Sequence, residues 1–262
     1  MNRQNSGMAH IANILYPVFL YFLISEGASL VMQLLAVSAK MDAVMRQGIC
    51  SACGFAALLW YQNGKQKKTI RSRNSWVKDR NIIGIGCIVS VLLLSAASIA
   101  MNNLISMTAL KQISSGYQSV ENAFYSSTLL WEILILCLFV PVVEEILYRQ
   151  MVYEAVAEWF GDLFAIVLSA LLFALFHGNI VQFLYALVLG ICLGLVRANF
   201  SSVLVPILGH ISANLISILR GTTKGFTFVS SGSSMYIQVT GILVVVSILI
   251  VIYLGIRLHR MG

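Results

Sequence analysis

Apolar positions in this chain come in long unbroken runs, with neither the strict alternation of strands nor the one-sided stripe of surface helices. Eight such runs are separated by polar connectors: Ile11–Val37, Gly48–Tyr61, Ile82–Met101, Thr128–Tyr148 or beyond, Leu163–Phe176, Ile180–Val196, Val203–Leu219 and Ile237–Leu258. Crossing the hydrocarbon takes about 20 mostly apolar residues per helix. The pattern therefore predicts an all-α polytopic membrane bundle of about eight transmembrane helices. Two longer Ser/Thr/Gly-rich stretches, Asn102–Ser127 and Gly221–Ser234, read as loops. No internal repeat is visible.

Composition sharpens that expectation. Of 262 residues, 59% are hydrophobic and only 10% charged, against about 25% charged in soluble domains. So little charge could not cover the surface of a soluble protein. The chain reads as one continuous membrane domain, with N-terminal helices and a basic loop over 1–110 and a core over 111–262. The first run lacks a strongly basic leader and continues past Glu26, which predicts a retained span and not a cleaved signal. The five cysteines all lie in apolar stretches, and Cys50 with Cys53 makes a lone CxxC that carries no assignment.

The net charge of +7 is concentrated. Lys65, Lys67, Lys68, Arg71, Arg73, Lys78 and Arg80 share one connector with only Asp79. Between apolar spans such a loop marks the cytoplasmic side and touches anionic lipid head groups, so membrane lipids are expected partners and nucleic acid is not. With eight spans both termini are then cytoplasmic. Arg3, Arg149, Arg197, Arg257 and Arg260 join the loop on that side, leaving Lys40, Arg46, Lys111, Arg220 and Lys224 opposite. The expected location is the plasma membrane of a bacterium.

Ionisable groups inside hydrocarbon are expensive, so each is a functional candidate. Pro141-Val-Val-Glu-Glu-Ile-Leu-Tyr-Arg149 holds two adjacent carboxylates, which point about 100° apart on a helix. Arg149 follows Glu145 by four residues, the favoured order for a helical ion pair. That pairing would leave Glu144 free to face a cavity, where a carboxylate shielded from water is a stronger proton acceptor. The plainer reading is that this cluster only marks the end of the fourth span. Glu154 and Glu158 further on read as a solvated face. His177 ends one apolar run, and His210 and Asn214, four residues apart in another, share a helix face. Either could serve as an interhelical hydrogen bond. Together the carboxylate, the two imidazoles and the amide make a toolkit for hydrolysing an amide without a covalent intermediate. No serine or cysteine has a nucleophile's setting.

Glu144-Glu145-xxx-Arg149, Phe173-xxx-His177 and His210-xxx-Asn214, in that order on successive spans, resemble the CPBP intramembrane proteases. These comprise the CAAX prenyl endopeptidase type 2 relatives and the Abi bacteriocin-processing and immunity group. The resemblance covers roughly Thr128 to Leu219. It implies an intramembrane endopeptidase acting on a membrane-associated peptide or protein, with Glu144 as the base activating water and His177 assisting. It further implies His210 and Asn214 as the oxyanion-stabilising pair and Glu145 with Arg149 as a supporting ion pair. A divalent metal such as zinc held by His177 and His210 is the alternative chemistry, with metal-independent water activation preferred because no HExxH is present.

Up-and-down packing poses a difficulty, because it would put Glu144 and His177 near opposite membrane faces. They can meet only if the fourth helix runs on toward Trp159, which places Glu144 at mid-depth, or if the fifth span is tilted or submerged. The long fourth helix is the predicted solution. Two other functions fit part of the pattern. A non-catalytic immunity or scaffold protein binding a toxin or partner could use the polar groups as a buried network. A small proton-coupled transporter would enlist Glu26 and Glu132, though it predicts repeats that are not seen.

Overall fold

The computed structural model describes residues 3–37, 41–65, 80–125, 127–222 and 235–261. Every regular element among them is a helix. α1 (Arg3–Leu34), α2 (Ala43–Lys65) and α3 (Arg80–Ser106) are followed by two short helices, α4 (Leu110–Ile113) and α5 (Ser115–Tyr125). A helical run over 129–160, α6, is broken from α7 (162–175) at Gly161. The chain closes with α8 (Ile180–Phe200), α9 (Leu204–Thr222) and α10 (Tyr236–Met261).

All eight expected apolar runs are helical. Six helices are long and apolar enough to cross a membrane alone, namely α1, α2, α3, α8, α9 and α10. The other two, α6 and α7, carry the charged motif and the segment leading to His177. The protein is an integral membrane helix bundle. Most of the cationic connector, residues 66–79, lies outside the described residues, as does most of the Gly221–Ser234 stretch.

The expected loop over Asn102–Ser127 is instead largely helical, with α3 running on to Ser106 and α4 and α5 following. Its Ser and Gly content suggested a loop. Tyr117 and Val120 nevertheless place an apolar edge of α5 against the bundle, where they line its central cavity. α2 also starts earlier than expected, because Asp42 caps it by accepting from the Val44 N–H at 2.8 Å.

The fourth helix is long, as predicted. At about 1.5 Å per residue α6 exceeds 40 Å, and Glu144 falls near its middle. It is not uniform, since Glu132–Phe139 and Ile146–Val152 are π-helical and flank the α-helical Val140–Glu145. Gly161, with φ 80° and ψ 171°, ends it in a conformation open essentially only to glycine. The chain then turns back as α7.

α7 and α8 pack closely because α8 carries Gly190-x-x-x-Gly194 on the contacting face. A Cβ on Gly190 would lie 3.1 Å from the Ala170 Cα, and one on Gly194 would lie 3.2 Å from the Ile166 Cα. The buried core threads through this contact, with Ala165, Ile166, Phe173 and Ala174 of α7 against Leu189, Leu193 and Val196 of α8.

Candidate functional site

The motif residues sit on α6, at the end of α7 and on α9. Glu145 and Arg149 are both fully buried and meet through Arg149 Nε and Glu145 Oε2 at 3.3 Å. Arg149 Nη2 also donates to the Gly190 carbonyl at 3.1 Å, an approach that the missing side chain of Gly190 leaves open. The Arg149 guanidinium lies 4.7 Å from the centre of the Phe173 ring. A cation buried this deeply is tolerable only with its carboxylate, its carbonyl and an aromatic face around it.

His210 Nδ1 bonds the other oxygen of Glu145, Oε1, at 2.9 Å. A carboxylate is an acceptor, so Nδ1 carries the hydrogen. The opposite nitrogen, Nε2, lies 3.7 Å from Glu144 Oε2. Glu144 retains 20% exposure and lines the central cavity, whereas Glu145 has none. Adjacent in sequence, the two carboxylates therefore occupy different surroundings while both face one imidazole. Arg149, Glu145 and His210 form a chain that fixes the ring's orientation.

His177 is placed differently. Its Nδ1 bonds the Phe173 carbonyl at 2.8 Å, so Nδ1 is the donor there and Nε2 is left with its lone pair. No hydrogen bond or ion pair joins His177 to Glu144 among the described residues, although both line the cavity. Phe173, 3% exposed, separates the two histidines: its ring centre is 4.6 Å from that of His177 and 5.6 Å from that of His210.

Asn214 Nδ2 donates to the Leu136 carbonyl at 2.8 Å. The reason lies in α6. In a helix that carbonyl would be bonded by the N–H four or five residues on. The Val140 N–H reaches back to Ile135 instead, and Pro141 has no N–H. The carbonyl freed by the π-turn and the proline is satisfied from α9. The amide's second hydrogen stays available.

A cavity of about 830 Å³ gathers Glu144, His177, His210 and Asn214 on its walls. Its lining comes from the C-terminal parts of α1, α3 and α9 and the N-terminal parts of α2 and α8. It therefore lies toward the end of the bundle opposite the one where α2 stops at Lys65 and α3 starts at Arg80. Sequence reasoning did not find Phe22, whose ring stacks on Phe176 at 3.7 Å, or the Tyr185 hydroxyl, which bonds Ser98 at 2.8 Å and Ser217 at 3.1 Å. These are ordinary residues in apolar runs and give no signal before the helices are packed.

One expectation holds only in part. Glu158 is exposed, but Glu154 is half-buried, because its Oε1 meets Arg197 Nη2 of α8 at 2.6 Å. Arg197 Nε also donates to the Arg149 carbonyl at 3.3 Å. A second ion pair thus clamps α6 to α8 a turn beyond the first.

The buried polar centre opens on a cavity within a membrane helix bundle. Residues 126–216, a segment that carries all six motif residues, match the family model for Rce1-like proteins, described as type II CAAX prenyl endopeptidase Rce1-like. The match supports, at family level, the resemblance to CAAX-type intramembrane proteases. Neither the curated proteins nor the solved structures give a match to the chain.

As for a metal, the donors do not gather into a coordination set. Among the described residues no three His, Cys, Asp or Glu side chains are grouped closely enough to hold an ion. One nitrogen of each histidine is already committed, His210 to Glu145 and His177 to Phe173.

Proposed function

We propose that this protein hydrolyses peptide bonds of a membrane-associated peptide or protein, with Glu144 activating water in the cavity. The observation that carries the reading is the division of labour within the carboxylate pair. Glu145 is consumed by Arg149 and His210, whereas Glu144 reaches the cavity and, among the described residues, has His210 Nε2 at 3.7 Å as its ion-pair partner.

In this mechanism a water lies between Glu144 and the substrate carbonyl. Glu144 takes a proton from the water as its oxygen bonds to the carbonyl carbon. The carbonyl oxygen becomes an oxyanion and accepts from protonated His210 Nε2 and from the second hydrogen of Asn214 Nδ2. Glu145, aligned by Arg149, supports the positive imidazole from behind. Collapse re-forms the carbonyl and breaks the C–N bond, and Glu144 returns its proton to the departing amine. His177, which lines the same cavity and keeps a lone pair on Nε2, assists that proton's return in this reading. No step runs through a metal.

The substrate class follows from the cavity, which is roomy, enclosed by helices and lined by both apolar and polar side chains, so a peptide reaches it from the membrane or its surface. If the 66–79 loop is cytoplasmic, as its charge implies, the cavity opens to the other face and processes peptides there. The plasma membrane of a bacterium remains the proposed location.

The test compares purified wild type, Glu144→Gln and Glu144→Ala on a fluorogenic peptide library in detergent, with and without a chelator. Loss of a positioned base predicts a fall of about 10²–10⁴-fold in kcat for both variants, with unfolding temperatures unchanged and no response to the chelator. Equal cleavage by Glu144→Gln would remove the proposal, and chelator-sensitive cleavage would replace the water-activation step.

A further inference from the structure

We infer that Glu132 forms a second recognition point in the cavity, a subsite for a cationic side chain of the substrate. This rests on the hydrolase reading above and extends it to specificity. Glu132 belongs to none of the three motifs. It sits in the first turns of α6, is 2% exposed, and lines the same cavity as Glu144. Its Oε2 has no hydrogen-bond partner. Buried carboxylates are ordinarily paired or hydrogen-bonded, as the fully buried Glu145 is by Arg149 and His210. Glu132 is a buried carboxylate on the cavity wall with one oxygen left unsatisfied.

Its surroundings favour a cation. The charged group that acts on Glu132 most strongly is Asp42, a second carboxylate, which caps α2 through the Val44 N–H. Arg46, Lys111 and Arg220 also line the cavity, and Lys111 lies over the Tyr117 ring at 5.2 Å. None of them is hydrogen-bonded to Glu132 Oε2. An ammonium or guanidinium brought by a substrate would satisfy Oε2 and offset the Asp42 charge.

Spacing sets where that group would lie. Twelve residues separate Glu132 from Glu144, about 18 Å of helix rise. At about 3.3 Å per residue an extended peptide covers this with about five residues. A substrate carbonyl at Glu144 would therefore bring a lysine or arginine about five positions away to Glu132.

The experiment uses paired fluorogenic peptides that differ at one position, lysine against norleucine, scanned along the sequence. Wild type, Glu132→Gln and Glu132→Met are compared in detergent. The subsite predicts one position at which lysine is preferred by tenfold or more in kcat/KM, mostly through KM, with the ratio falling to near one in both variants. Unfolding temperatures equal to or above wild type would show that the fold is intact. A lysine preference that survives in Glu132→Gln, or no preference at any position in wild type, overturns the inference. If wild type cleaves nothing, the same labelled peptides are titrated by fluorescence anisotropy. A Glu132-dependent lysine preference in binding then upholds the subsite while the hydrolase reading fails, and equal binding of both peptides removes the subsite as well.

Discussion

α8 and α10 are helices of comparable length and both are apolar enough to cross a membrane, yet they serve opposite ends of the design. Over half of the α8 span, 56%, is buried inside the bundle, against 11% for α10. The more apolar of the two is the one left outside. In lipid this is the expected arrangement, because tails solvate leucine as well as a protein core does and give apolar surface no reason to hide. What must be hidden is polarity. α8 accordingly holds Arg197 against Glu154, offers the Gly190 carbonyl to Arg149 and keeps two glycines for close contact. α10 attaches by a few points, among them Leu254, fully buried, and Thr240, bonded to Asn103 at 2.7 Å.

The comparison breaks most visibly at the ion pair that α8 helps to house. Glu145→Ala strands Arg149 in the interior, and removing one partner of a buried pair costs about 3–5 kcal/mol. The expected outcome is a large fall in the detergent unfolding temperature, with little folded protein recovered. On α10, Leu254→Ala should cost about 2–5 kcal/mol, which sharpens the comparison by showing that a lipid-facing helix is held at single points.

Gly190→Ala is the corresponding change on α8. The added Cβ has to displace the Ala170 backbone, for about 1–3 kcal/mol of overpacking, read in the same melts. Asn214→Ala leaves the Leu136 carbonyl without its donor, for about 1–3 kcal/mol. That loss should shrink in a Pro141→Ala background, where a backbone N–H returns to the neighbourhood, and a double-mutant cycle measures the coupling. Smallest of all is Ile242→Ala, at a residue 62% exposed on α10, expected within about 0.5 kcal/mol of wild type. A larger loss there would mean that α10 has a partner on its outer face.

Much of this was legible before folding. Eight apolar runs became eight helices because hydrocarbon accepts little else, and the depth conflict between Glu144 and His177 pointed to the long α6 that the chain forms. The Glu145–Arg149 spacing contains its own pairing, since four residues on a helix bring side chains together. What escaped depends on packing between helices. Nothing in His210-xxx-Asn214 says that the imidazole will meet the carboxylate pair while the amide turns to a backbone carbonyl. The carbonyl's need for a donor arises only once the chain around Pro141 adopts π geometry. Glu154 appeared solvated because its partner, Arg197, is 43 residues away on another helix. The helix over Ser115–Tyr125 was hidden by residues that ordinarily favour loops.

The π-turns of α6 have a consequence for how such a chain can evolve. A π-turn holds one residue more than the α-helical turn it replaces, so each of the two carries slack in its length. Deleting one residue between 132 and 139 would let that stretch relax to α geometry with the two ends of α6 near their present bearings. The α-helical stretch Val140–Glu145 has no such slack, and a residue lost there would swing one end of α6 by about 100° against the other. Glu144 would then lose its place on the cavity wall. Changes of length should therefore be tolerated in the π-turns of α6 and not in the α-helical turn between them.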